Sequence, residues 1–344
     1  MIITTFLFII CLIAICKKSD KALSEKRQFT DILKFVAALL VVNGHLFVFG
    51  GGPRVWMQEM SIGQLCVSLF FFLSGYGLMC SYERKGDVYL KGFLLHRLGR
   101  VILPLVTAYI VTLPVYRIVK GTIDWHTLFS TLYWGGPFLQ FSWYVTEIVI
   151  LYLFFYVIMR SSVSKQYKIY ILTFVVLFMM GVLFITRQPV WYINALPTFI
   201  MGIWYQKYEQ NICNEILLEG GKKLSVVILL SLVLLITFHW HFVAEHIRAL
   251  SAFRYQYASY YIMNIVFVIL LIIAMKGREF SMTFPPVLIN SYYEIYLMQS
   301  CAMIAFKDLI ISFPMYWFCG MLLTVILAVV MHKVNSLLIK SLKI

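Results

Sequence analysis

Apolar runs of about 18–20 residues, separated by short polar and often basic connectors, recur along the whole chain. That is the length an α-helix needs to cross a hydrocarbon core. The alternating ten-residue pattern of a membrane β-barrel is absent, so the pattern predicts an all-α integral membrane protein. Spans are expected near residues 1–16, 30–50, 61–82, 101–119, 141–159, 169–186, 191–206, 224–242, 257–275, 284–306 and 316–334, about eleven transmembrane helices. The first, Met1 to Cys16, lacks the basic residue that opens a signal peptide and is followed by Lys17, Lys18, Lys21, Lys26 and Arg27. It reads as a short membrane helix that starts outside, with a cleaved signal as the alternative. The second ends in Gly50-Gly51-Gly52-Pro53, a stop through which no helix continues.

Composition agrees with this pattern. Of 344 residues 62% are hydrophobic and only 13% are charged, with mean hydropathy +0.86. There is too little polar surface to cover a soluble globule of this size. The formal net charge of +14 would suggest nucleic acid in a soluble protein, but here the basic residues first sort by side of the membrane. Alternating the spans from an outside start leaves only Arg54, Arg117, Lys120, Arg187, Arg248, Arg254 and Lys307 in outer segments. The positive-inside rule therefore puts the N-terminus outside, the C-terminus in the cytosol, and Lys34 at the inner end of its helix. Nucleic acid is not an expected partner; the bilayer is. The 7 cysteines are odd in number and form no ligand-spaced cluster with histidine, so neither a disulfide frame nor a metal site is expected.

Chemistry concentrates in a few stretches. Asp31-Ile-Leu-Lys34 through Asn43-Gly-His45 places a cation and an imidazole eleven positions apart on an otherwise apolar helix. They fall within roughly 20° around the axis and ~16 Å apart along it. An ionisable group at that depth costs several kcal/mol unless a partner or cavity is supplied, which marks a functional candidate; hydrogen-bonded packing glue is the other reading. Phe70 to Leu78, with Ser74, Gly75 and Gly77, allows close helix approach, and packing explains it from composition alone. Arg97 and Arg100 stand one turn apart before Pro104, a paired guanidinium site for phosphates at the inner surface or for lipid headgroups. The inner loop Lys207–Lys223 reads as a solvated connector. The outer run from His239-Trp240-His241 through Glu245, His246, Arg248 and Arg254 to Tyr257 is an interfacial aromatic belt or a sugar contact, not a zinc site.

Together these stretches resemble membrane-bound acyltransferase family 3, whose members include bacterial O-acetyltransferases acting on surface polysaccharides. Asp31, Lys34 and His45 occupy its opening acidic–Arg–His signature, and Phe70–Leu78 is similar to its Phe-rich run into Ser-Gly-aromatic. Arg97-x-x-Arg100 with Pro104 is similar to its Arg-x-x-Arg element, Ser142-Trp143-Tyr144 with Tyr152 to its Trp-aromatic element, and Phe199-Ile-Met-Gly202 to its Phe-x-x-Gly element. Ser291-Tyr-Tyr-Glu-Ile-Tyr296-Leu-Met-Gln299 is similar to its late Ser-Tyr-x-x-Ile-Tyr-Leu-x-His block. Three positions depart. Lys34 replaces an Arg and loses the bidentate fork, Gln299 replaces the late His, and Glu147 sits one residue off an acidic position found in part of the family.

The resemblance implies a ten-helix acyltransferase core at about 29–334, preceded by an extra helix and cytosolic linker in 1–28 and followed by a cytosolic tail, 335–344. It implies a bacterial-type plasma membrane, no permanently bound cofactor, and an acyl-CoA donor, acetyl-CoA first among them, with a glycan or lipid-linked saccharide as acceptor. Lys34, Arg97 and Arg100 are the expected grip on the nucleotide phosphates. His45 is the expected catalytic group, either as general base toward a sugar hydroxyl or as carrier of the acyl group. Asp31, Asn43, Trp143, Tyr144, Glu147, Tyr296 and Gln299 are possible supporting residues. The rival from another class is a polytopic transporter or flippase-like component of glycan assembly, against which the chain shows no internal repeat.

Overall fold

A computed structural model describes residues 2–19, 23–53, 62–123, 126, 129, 139–216, 220–246, 253–281, 284–306, 309 and 312–344. Each predicted span has a helix: α1 Ile2–Ala14, α2 Arg27–Phe49, α3 Gly63–Lys85, α4 Gly99–Lys120, α5 Trp143–Arg160, α6 Lys165–Ile185, α7 Leu196–Ile216, α8 Gly220–His246, α9 Phe253–Met275, α10 Tyr292–Phe306 and α11 Phe313–Ser341. Among the described residues, 8 helices are long and apolar enough to cross a membrane, while α1 is apolar but shorter. The protein is an all-α membrane protein. Large side chains left bare on the helices agree with that: Met315, Phe318, Leu322, Ile326, Val330, Val334 and Leu337 line α11 at helical spacing, all exposed, as a lipid-facing stripe requires.

The structure differs from the expected spans in two places. The predicted span 284–306 is broken at Ser291 into a short helix, Pro286–Asn290, and α10. The inner connector from Lys207 is not a solvated loop at its start, because α7 continues helically to Ile216 and Glu209 is buried. Its carboxylate accepts from Tyr76 Oη at 2.5 Å and from the Leu23 backbone N–H at 3.0 Å. Those two donors satisfy a charge that the sequence alone assigns to water.

Two compact units divide the chain, each assembled from separate stretches. The first holds residues 1–30, 64–86 and 162–283. In it, α3 and α7 cross so closely that a Cβ on Gly75 would overlap the Phe199 carbonyl and one on Gly202 would overlap the Phe72 carbonyl. The Ser-Gly and Phe-x-x-Gly elements of the sequence are thus each other's packing surface. The segment after α1, β1 (Cys16–Lys18), pairs antiparallel with β2 (Arg278–Phe280), which follows α9, and Phe8 packs near Phe267. Lys165 reaches Glu83 at 2.7 Å and Lys223 reaches the Lys276 carbonyl at 2.9 Å. These contacts gather the ends of α1, α3 and α9 with the starts of α6 and α8 at one basic edge.

The second unit holds residues 31–63, 87–161 and 284–344. Helices α4, α10 and α11 pack on one another around a buried polar chain. Asn335 Nδ2 donates to Glu294 at 3.1 Å, Thr107 Oγ1 donates to Asn335 Oδ1 at 2.8 Å, and His332 Nδ1 lies 3.3 Å from Glu294. Pairing these groups with one another avoids the cost of desolvating each alone. Helix α2 stops against the first turns of α11. Gly51 takes φ +69°, and side chains on Gly50 or Gly52 would strike Tyr316 or Phe313. The stop lies just beyond His45.

Candidate active site

The candidate site residues fall in the second unit, on α2, the turn leading into α4, α5 and α10, with Lys34 and His45 of α2 against Tyr292 and Gln299 of α10. At one end Lys34 Nζ sits 5.1 Å over the Tyr292 ring and 3.5 Å from Asp31. At the other, His45 Nδ1 lies 2.8 Å from Gln299 Oε1. Lys34 to His45 is ~16 Å along α2 and Tyr292 to Gln299 about 10 Å along α10. The two helices therefore run in the same direction, as even-numbered spans of an alternating chain must.

Arg97 joins the cationic end. It lies 5.5 Å over the Tyr152 ring of α5, near Lys34 and Tyr292, and its Nε–H is buried without a hydrogen-bond partner. Arg100 takes a different position: it is exposed, and its guanidinium is 3.4 Å from the Ile344 backbone oxygen. Leu94–Leu98 forms a π-helical turn that leads directly into α4, with Arg97 placed toward Lys34 and Tyr152 and Arg100 toward Ile344. The cluster that the fold assembles is Lys34 with Arg97, beside Tyr152 and Tyr292.

A closed loop of contacts surrounds His45. Its ring stacks on Phe141, centroids 3.6 Å apart and planes within 8°. The Phe141 carbonyl accepts from Tyr296 Oη at 2.6 Å, and the Tyr296 carbonyl accepts from Gln299 Nε2 at 2.7 Å. Gln299 then faces His45. Tyr144 packs edge-on to the Tyr296 ring at 5.3 Å, with Trp143 beside it. Neither Phe141 nor the loop it closes was visible in the sequence; the signal available was an aromatic residue two positions before Trp143. Asn43 accepts from Trp317 Nε1 at 2.9 Å, tying α2 to α11. Glu147, one turn beyond Tyr144 on α5, is 3% exposed and both its carboxylate oxygens lack a hydrogen-bond partner. Burying a carboxylate without a partner is costly in its charged form.

His45 itself is half-buried rather than sealed. The site joins a recessed imidazole, oriented by Phe141 and Gln299, to a cationic patch about three helical turns away. Such an arrangement suits transfer of a group from a carrier held by its anionic end. A family model, Acyltransferase domain, matches residues 27–333. The chain belongs to acyltransferase family 3. No curated protein matches it, and no solved structure does. The match takes in α2 through most of α11, so every candidate site residue of this membrane acyltransferase lies inside it. In the aromatic stretch from His239, His239 and Trp240 are exposed, while the side chains from His241 to Tyr257 lie outside the described ones, as does Arg54.

Proposed function

We propose that this membrane acyltransferase moves an acetyl group from acetyl-CoA to a hydroxyl of a cell-surface or lipid-linked glycan, with His45 as the reacting base. The observation that carries the proposal is the shared α2–α10 face, with cations at one end and the imidazole at the other. Lys34 and Arg97, the cations at that end, hold the nucleotide phosphates. The ~16 Å between Lys34 and His45 along α2 is a separation that the extended, uncharged pantetheine arm spans. Arg100, exposed, attracts the donor or anionic lipid at the surface. The basic edge faces the cytosol, where acyl-CoA is found, in a bacterial-type plasma membrane.

In the direct reaction the acceptor hydroxyl oxygen bonds to the thioester carbonyl carbon while its proton passes to His45. The C–S bond then breaks, and the leaving thiolate takes that proton back. In the relayed reaction the imidazole nitrogen first bonds the acyl carbon and expels the thiolate; the hydroxyl oxygen then bonds that carbon, the C–N bond breaks to free the imidazole, and the hydroxyl proton goes to the thiolate. Either way one ring nitrogen must present its lone pair.

The test uses the purified chain in nanodiscs with radiolabelled acetyl-CoA and lipid-linked saccharides extracted from the host's membranes. Label entering the saccharide, with equal release of CoA thiol, is expected, and both vanish in His45→Ala. A His45→Ala protein that transfers label at the wild-type rate overturns the assignment.

A further inference from the structure

The geometry points to Gln299 as the residue that sets which nitrogen of His45 reacts: its side-chain oxygen holds the proton on Nδ1 and leaves the lone pair on Nε2. This rests on His45 being the reacting group. The argument begins at the Tyr296 carbonyl. An amide side chain can be turned either way round, and the choice is made by what its two ends face. One end of Gln299 lies 2.7 Å from the Tyr296 carbonyl oxygen, which can only accept, so that end is the NH2 group. The other end, Oε1, then faces His45 Nδ1 at 2.8 Å. Two acceptors at that distance would repel; Nδ1 therefore carries hydrogen.

Gln299 cannot swing away from this orientation without cost. It is fully buried, and α10 is anchored one turn earlier by Tyr296 Oη on the Phe141 carbonyl. Phe141 in turn fixes the plane of the imidazole by stacking. Rotation of the ring about its axis is thus limited by Phe141, and the tautomer is chosen by Gln299. A neutral amide does this without competing for the proton. A carboxylate or second imidazole at the same place would share it, so Gln299 is a positioning residue and leaves proton transfer to Nε2 of His45.

The experiment is nitrogen NMR of the full chain in nanodiscs, labelled with 15N-histidine, with the His45 signals identified by their loss in His45→Ala. A protonated Nδ1 and an unprotonated Nε2 are expected in the wild type. In Gln299→Met, which fills the space without an acceptor, the Nε2-protonated form should appear. Acetyl transfer should fall about ten- to a hundredfold in kcat, with the KM for acetyl-CoA unchanged. Gln299→Glu, whose carboxyl group shares that proton, should move the Nδ1 signal away from its wild-type position. A wild-type ring protonated on Nε2 overturns the inference. So does Gln299→Met with a wild-type ring spectrum. The ring spectra are read without turnover, so an active His45→Ala would remove the acyltransfer role of His45 while leaving the tautomer assignment to stand or fall separately.

Discussion

At the scale of single residues, the division of labour follows from what each side chain can reach. Lys34 is partly neutralised by Asp31, whereas Arg97 rests on Tyr152 with one buried donor open. If these cations hold the donor's phosphates as proposed, Arg97 is the stronger ligand of the two. Arg97→Ala is expected to raise the KM for acetyl-CoA at least tenfold while kcat changes little, read from initial rates over a donor series. Equal donor affinity in the variant and the parent would remove Arg97 from the binding site. Arg100→Ala, at an exposed position, should change the same KM by less than threefold at physiological salt, where surface charges are screened. His45 and Gln299 were both visible as residues in the sequence. Their contact was not, since 254 positions separate them.

At the scale of elements, glycine decides where helices can approach and where they end. The α3–α7 crossing depends on Gly75 and Gly202, each facing a carbonyl oxygen of the other helix. Overfilling such a contact forces backbone to move, at about 1–3 kcal/mol. Gly202→Val should therefore lower the apparent melting temperature in detergent by several degrees, measured by thiol-dye unfolding. An unchanged melting curve would mean the helices do not meet there. Gly51, at φ +69°, ends α2 by adopting a conformation that costs an L-residue roughly 1–2 kcal/mol. The small-residue run in α3 and the glycine stop after α2 were both legible as sequence. The π-helical turn at Leu94–Leu98 was not, because residues that suit an α-helix suit it equally.

At the scale of the molecule, the eleven predicted spans all correspond to helices, and the chain divides into two units with the candidate site in the second. The first unit carries the basic edge, where β1 meets β2 and Lys165 meets Glu83. Arg84 is exposed close by. In a cysteine-free background, Arg84→Cys should react with a membrane-impermeant thiol reagent only in inverted vesicles. Labelling in intact cells would reverse the orientation. The sequence by itself determined the membrane class, the places of the apolar helices, the family and the identity of the ionisable groups. Each of these depends on local hydrophobic runs and ordered motifs, which need no knowledge of what packs against what. Only the tertiary structure decided which cation accompanies Lys34, that Phe141, Tyr296 and Gln299 close around His45, and that Glu209 is buried. Those outcomes depend on which helix faces meet, and a helical period of 3.6 residues defines a face without naming its neighbour.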